Sequence, residues 1–304
     1  MKNNLLQAQL AEYVSACAFT PFDYPVEGTK LQIFTLRAPQ EFSKPVIELS
    51  QALSANITQI TEVDTAGSVQ DLAVINQSEY YLLIYEGSLL KGAKQNRVVN
   101  ATLLLPPFSK NIIPASCVEQ GRWNYTSPTF FKSDYDAPQF MRQCLRSEIS
   151  INRKLSGNQS RVWESVNNYS QEKKVYSKSN DFDDIYSRSQ KTELLFPLGL
   201  NLPPTHGILV QTMGECSMDF MACEKAFVGV LPRLISGYEL SKRKEQSGAI
   251  DNPGKLVAQW ISEGAMFTQP SVAIGTDIRI DTSANHISAL VVDEEVASFS
   301  ITPK

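Results

Sequence analysis

The stretch Tyr80–Trp123, YYLLIYEGSLLKGAKQNRVVNATLLLPPFSKNIIPASCVEQGRW, places charged, amide, thiol and indole groups between short apolar runs. Tyr80–Tyr85, Val98–Leu105 and Ile112–Val118 have the length and the aliphatic or aromatic content of strands. Between the first two lie Glu86-Gly87, Gly92 and the tetrapeptide Lys94-Gln95-Asn96-Arg97; the third leads into Glu119-Gln120-Gly121-Arg122-Trp123. Polar groups that follow strands gather at sheet ends, where binding and catalytic side chains are commonly mounted. Pro106-Pro107 and Pro114 punctuate the runs, and proline in strand-like sequence belongs to edges and strand ends. This pattern predicts a β-sandwich or barrel-like portion and not a doubly wound parallel sheet.

On the N-terminal side, residues 1–78 open with an apolar helical start, an extended segment at Lys30–Leu36 and a helix at Ser43–Ser54. A β-branched run from Asn56 to Val63 and the segment Leu72–Ile75 then read as strands. On the C-terminal side, helical spacing predicts helices over Gln139–Lys154 and around Val162–Val166. The serine-rich run Ser170–Thr192 holds few large apolar groups, so a mobile polar excursion or lid with few buried contacts is expected there. Compact patterning returns with strands at Gly207–Thr212 and Met218–Phe220, and with an amphipathic helix at Cys223–Ser241 that Pro232 should kink. A short helix at Leu256–Glu263, strands within Val272–Ile280 and Ile287–Ile301, and a hairpin turn at residues 293–295 complete the chain. With no internal repeat, the order points to an α+β fold: a strand-rich central β-sandwich or barrel-like portion with flanking helices, read as a single domain over residues 1–304.

At 304 residues, 42% of them hydrophobic and 20% charged, the chain can bury a substantial core. A net charge of −4 gives no electrostatic drive toward nucleic acid or an anionic membrane, so neither is an expected partner. No apolar run approaches the roughly 20 residues that span a bilayer. The opening MKNNLLQAQLAEYVSACAF lacks the compact apolar segment and cleavage site of a secretory signal, and a cytoplasmic location is expected. Five cysteines without CxxC spacing read as reduced thiols. The two histidines, His206 and His286, have no partner at a familiar ligand spacing, so no metal site is expected from them; a carboxylate-rich Mg²⁺ site stays open.

The candidate chemistry sits in the opening stretch. Arg97 and Arg122 offer planar bidentate donors to a phosphate or carboxylate, Lys94 adds a point charge, and Trp123 offers a face for stacking on a base. The alternative places the same arginines in internal salt bridges with Glu86 and Glu119. Those glutamates are also the acid–base candidates, since hydrolysis at an anomeric carbon uses two carboxylates. Cys117 stands near cationic residues that would favour its thiolate, whereas its strand context favours a buried, inert thiol. Gly87 and Gly92 read as turn glycines, and Asp219 as a cap in preference to a site residue.

The segments ITEVDTAGSVQDLAVIN at 60–76, EGSLLKGAKQNR at 86–97, IPASCVEQGRW at 113–123 and GILVQTMGECSMDFMACEKAFVGVLPRLISGYEL at 207–240 resemble successive blocks of one family, the domain associated with ADP-ribosylglycohydrolases and rhodanese-phosphatase superfamily proteins. Its motif residues fall on Glu86, Gly87, Gly92, Gln95, Asn96, Arg97, Cys117, Glu119, Gly121, Arg122 and Trp123, while the stretch around 170–192 diverges. The resemblance implies a setting in ADP-ribose, NAD or nucleotide-derivative processing and carries no established reaction or cofactor. Three functions follow. The first is binding of a nucleotide-like or ADP-ribose-like anion by Lys94, Gln95, Asn96, Arg97, Cys117, Arg122 and Trp123. The others are hydrolysis of such a compound through Glu86 and Glu119, and a scaffold for a protein partner.

Overall fold

The computed structural model describes residues 2–22, 32–189, 203–212, 215–238 and 250–304. Among these residues the chain forms three sheets and seven helices in an α+β arrangement. The largest sheet has eight strands, in the order β1 (Ala18–Phe22), β2 (Gln32–Arg37), β12 (Gly207–Thr212), β13 (Glu215–Met221), β17 (Glu295–Pro303), β16 (Asn285–Val292), β15 (Thr276–Asp281) and β14 (Ala265–Pro270). A six-stranded sheet runs β11 (Phe130–Asp136), β7 (Ser88–Gly92), β8 (Arg97–Val99), β10 (Ser109–Cys117), β5 (Asp71–Asn76) and β4 (Thr58–Glu62). The third is small: β3 (Val46–Glu48), β6 (Tyr81–Ile84) and β9 (Leu103–Leu105). All neighbouring strands described are antiparallel except β3 and β6.

The small sheet shows why the run YLLIY lacks alternation. Leu82, Ile84, Leu103 and Leu105 pack with Ile60, Leu72, Val74 and Ile113 of the six-stranded sheet. Their neighbours Leu83, Tyr85 and Leu104 pack on the opposite side with Ile208, Val210, Leu290 and Val292 of the eight-stranded sheet. A sheet buried on both faces needs apolar side chains at every position, which erases the period of two. Val98–Leu105 is therefore not one strand. Val98 and Val99 lie in β8, whereas Leu103–Leu105 crosses as β9 into the middle sheet.

Helices α1 (Lys2–Ala16) and α7 (Pro253–Glu263) cover the outer face of the eight-stranded sheet through Leu10, Val14, Val257 and Ile261. Helix α6 (Glu224–Gly237) supplies Phe227, Val230, Leu231 and Leu234 to the core around the middle sheet and passes through Pro232 without ending. Helices α3 (Gln139–Asn152), α4 (Gln159–Lys173) and α5 (Phe182–Ser189) pack on Leu89, Val98 and Val118. The turn at Asp293-Glu294 has both φ values positive, 49° and 68°, as a two-residue type I′ hairpin turn requires.

Two expectations need correction. Ser43–Ser54 is not a continuous helix: after Pro45, Val46–Glu48 pairs in parallel with Tyr81–Leu83 and only Leu49–Ser54 is helical, as α2. The tertiary demand for a strand beside β6 overrides the helical spacing. Nor is 170–189 poor in buried contacts. Phe182, Ile185 and Tyr186 are fully buried, in an aromatic cluster with Phe140 and Tyr169. Three large side chains on one helical face are enough to dock a polar segment. Residues 190–192 of that run, Lys30–Leu31 of the expected extended segment and 239–241 of the expected helix lie outside the described residues.

The double burial of the middle sheet sets an expected stability effect. Leu82→Ala removes a fully buried side chain between two sheets and should cost about 2–5 kcal/mol in urea unfolding with little change in the denaturant slope; a loss under about 1 kcal/mol would contradict the three-layer packing.

Candidate functional site

The motif residues converge although more than one strand separates them in sequence. β8 pairs with β10 so that Arg97 stands opposite Cys117. The loop after β7 turns at Gly92, whose φ of 115° suits glycine and whose added Cβ would approach the Thr129 carbonyl oxygen to 2.8 Å. Residues 93–96 and 118–123 are thereby brought side by side. Val118 N–H donates to the Asn96 carbonyl at 2.9 Å, and Asn96 N–H donates to Glu119 Oε2 at 3.2 Å.

Arg97 is fully buried. Its Nη2 donates to Ser68 O at 2.9 Å and lies 3.3 Å from Glu62 Oε2; its Nη1 donates to Val69 O at 3.1 Å and contacts Cys117 Sγ. Nε alone has no partner among the described residues. Arg122 clamps Glu119 in a bidentate pair, Nε to Oε1 at 2.8 Å and Nη2 to Oε2 at 2.6 Å. Its remaining donors reach the carbonyls of Gly92, Ala93 and Asn124, Asn96 Oδ1 and Thr126 Oγ1. Both guanidinium groups are thus engaged with internal acceptors. Burial pushes the Cys117 thiol up to about 11 against the pull of Arg97, so the thiol stays protonated at neutral pH.

Lys94 holds the outer edge. Its ammonium donates to Thr65 O and Ala66 O, each at 2.6 Å, and lies 5.4 Å from the Trp123 ring and 5.2 Å from the Tyr125 ring. The Arg97 guanidinium adds a second cation 5.5 Å from Trp123. Trp123 and Tyr125 are 40% and 51% exposed, so both rings are held by cations and still face water. Gln95 is buried in the same loop. An open cavity of roughly 430 Å³ lies nearby, lined by Gln70, Lys154, Asn158 and Gln159 among others. Gln159 grips both the N–H and the C=O of Cys117, at 2.7 and 2.8 Å.

Glu86 belongs to a different network. It lies at the end of β6 and is 1% exposed; Arg146 Nε donates to Oε1 at 2.6 Å and Arg279 Nη1 to Oε2 at 3.2 Å. Arg142, one turn before Arg146 on α3, bonds Asp219 and the Tyr85 hydroxyl, and the Tyr238 hydroxyl closes on Asp219. Arg279 is also paired with Asp277 at 2.9 Å, and Arg146 reaches Ser300 Oγ at 2.6 Å. Burial pushes the Glu86 carboxyl up, but the three arginines outweigh it and hold it below the usual range; Asp219 is held low against burial by Arg142 in the same way. Asp219 is therefore no helix cap. It sits inside β13, fully buried, and α6 starts instead with Cys223 at its N-cap.

Among the described residues, Glu86 and Glu119 share no bonded partner. The carboxyl that faces Glu119 is Asp181, through an antiparallel bridge and through Asn96, whose Nδ2 donates to Asp181 Oδ1 at 3.0 Å. Ser179 Oγ donates to Glu119 Oε1 at 2.9 Å, and Gly121 N–H donates to Ser179 O at 2.8 Å, so the segment before α5 is seated on the motif. Burial pushes Glu119 up, and Arg122, Ser179 and Asn96 bring it below its usual range. Asp181 is pushed up to about 6, by burial first and by the charges of Glu119 and Asp183. Sequence reading missed Glu62, Asp181, Arg142, Arg146 and Arg279. The available signal was in α3, where Arg142 and Arg146 stand four apart beside the apolar Met141, Leu145 and Ile149.

A convergent, internally paired polar motif at the end of a strand-rich α+β core defines the class. The chain belongs to the family of the ARG and Rhodanese-Phosphatase-superfamily-associated Protein domain, whose model matches residues 21–302. No curated protein and no solved structure matches the chain significantly. Among the described residues, no helix is long and apolar enough to cross a membrane.

Asp181 sets a pH dependence of defined sign. The folded protein keeps this proton to about pH 6, whereas an unfolded Asp loses it near 3.9. Its stabilising contribution is complete below the unfolded value and is lost as pH rises toward 6. Asp181→Asn should therefore gain stability relative to the natural protein between pH 4.5 and 7, on the order of 1 kcal/mol by urea unfolding; a difference that stays constant with pH would contradict the assignment.

Proposed function

We propose that this protein is a binding module for a nucleotide-like or ADP-ribose-like molecule, seated on the exposed faces of Trp123 and Tyr125. The observation that carries this reading is the pair of half-exposed rings fixed by Lys94, with Arg97 behind Trp123. An aromatic face held rigid by cations loses little freedom when a base stacks on it, and such stacking contributes about 1–3 kcal/mol per base. Two of the three ammonium donors of Lys94 go to backbone carbonyls, which leaves one for a phosphate beside the rings. Asn96, Arg97, Cys117 and Arg122 then act as the frame that positions the platform, with Gln95 buried in the same loop, because most of their polar groups are spent on one another, on Glu62 and Glu119 and on the backbone.

Binding is favoured over hydrolysis by the placement of the carboxylates. Glu86 and Glu119 stand in separate networks, and arginine holds each ionised, which suits neither to protonate a leaving group.

Isothermal titration with ADP-ribose, NAD and AMP tests the reading. At least one should bind, and Trp123→Ala should weaken it between about fivefold and a hundredfold while the fold persists. Arg97→Met, by contrast, should lower stability by about 3–5 kcal/mol, since it strands Glu62 in the interior. No binding at millimolar ligand, or equal binding by the Trp123 variant, would remove the proposal.

A further inference from the structure

A second site lies at the junction of β2, β12, β13 and α6, away from the 86–123 motif. Glu41, His206 and Glu224 each offer one ligand atom there, and these atoms all lie within 4.8 Å of one another. They come from three segments laced together by backbone hydrogen bonds. Phe42 N–H donates to Ala222 O at 3.0 Å, His206 N–H donates to Leu36 O at 2.7 Å, and the His206 carbonyl accepts from Met221 N–H at 2.8 Å. Glu224 is the first residue of α6. The main-chain positions from which the three side chains project are therefore fixed.

The histidine presents a nearly buried nitrogen to the two carboxylates. His206 is 3% exposed, its Nε2 is aimed at Glu41 Oε1 at 2.6 Å, and its buried Nδ1 has no partner among the described residues. A neutral imidazole has one proton for two nitrogens. On Nε2 it bonds Glu41 and leaves the Nδ1 lone pair unsatisfied in the interior, at a cost on the order of 1–3 kcal/mol. The Glu41 side chain is 60% exposed and Glu224 is half-buried, so an ion can enter from solvent onto an imidazole wall.

We propose that Glu41, His206 Nε2 and Glu224 form a binding site for a divalent transition-metal ion, Zn²⁺ being the reference case. One imidazole and two carboxylates match the donor preferences of such ions, and three protein ligands leave a coordination position for water. Ligand atoms about 2.1 Å from a tetrahedral ion stand roughly 3.4 Å apart, so the exposed Glu41 side chain closes the remaining distance by a change of rotamer. The ion takes the place of the proton between His206 and Glu41, and the ring proton moves to Nδ1.

The test uses the full-length protein stripped of metal with a chelator and titrated with ZnCl₂ by calorimetry, alongside ¹⁵N spectra of the two histidines. The site predicts one ion per chain, with affinity roughly tenfold or more weaker in both Glu224→Gln and Glu41→Gln, which alter half-buried or exposed side chains and leave the core intact. His286→Gln, which alters the other histidine, paired with Asp281, should bind as the natural protein does. On saturation His206 should change from the Nε2-protonated to the Nδ1-protonated pattern. Absence of uptake, uptake undiminished in both glutamine variants, or an unchanged His206 spectrum would overturn the site.

Discussion

The fold turns on one buried carboxylate. Glu86 lies where the middle sheet ends, and three arginines approach it: Arg142 and Arg146 from α3 and Arg279 from β15 of the eight-stranded sheet. With Asp219 and Asp277 as the other acids, three negative and three positive side chains balance inside the protein. A buried ion pair is weak evidence of net stability, because desolvation offsets most of the attraction. Its stronger effect is on arrangement. Only with α3 laid across the junction can Arg146 meet Glu86 and Ser300 while Arg142 meets Asp219 and Tyr85. An unpaired arginine in that interior costs about 3–5 kcal/mol, which disfavours other placements of α3.

The 93–123 motif follows the same logic at the other end of the middle sheet's neighbours. Arg97 and Arg122 bind carbonyls and carboxylates that no regular sheet ladder satisfies, and so fix three irregular segments, 64–69, 93–96 and 118–126. Its rigid edge leaves Trp123 and Tyr125 outside, held by cations. Irregular backbone fixed by internal charge is how a loop region becomes a surface of defined shape without a large core of its own.

Much of this was legible in the sequence. The strand-rich centre, the turn glycines Gly87 and Gly92, and the gathering of the polar groups that follow the strands all follow from run lengths and punctuation. What escaped did so for identifiable reasons. The segment VIELS has helical spacing but is claimed by β6, a contact set by residues more than thirty positions away. Asp277 and Arg279 occupy the polar alternation of β15, which normally marks a solvated face; here that face is buried against Glu86. Polar side chains that neutralise one another across distant elements leave no local mark distinguishing them from surface charge. The docked segment around Phe182 was obscured in the same way, because its serine content conceals a five-ring cluster formed with Tyr135, Phe140 and Tyr169.

The claim that Glu86 fastens α3 across the sheets is tested most directly by amide hydrogen exchange in Glu86→Gln. That change keeps the side-chain shape and removes the charge that Arg146 and Arg279 share. Residues 139–152 of α3 should exchange faster by at least about tenfold, while the middle-sheet strands 81–84 and 103–105 keep most of their protection. Protection of α3 equal to that of the natural protein would contradict it.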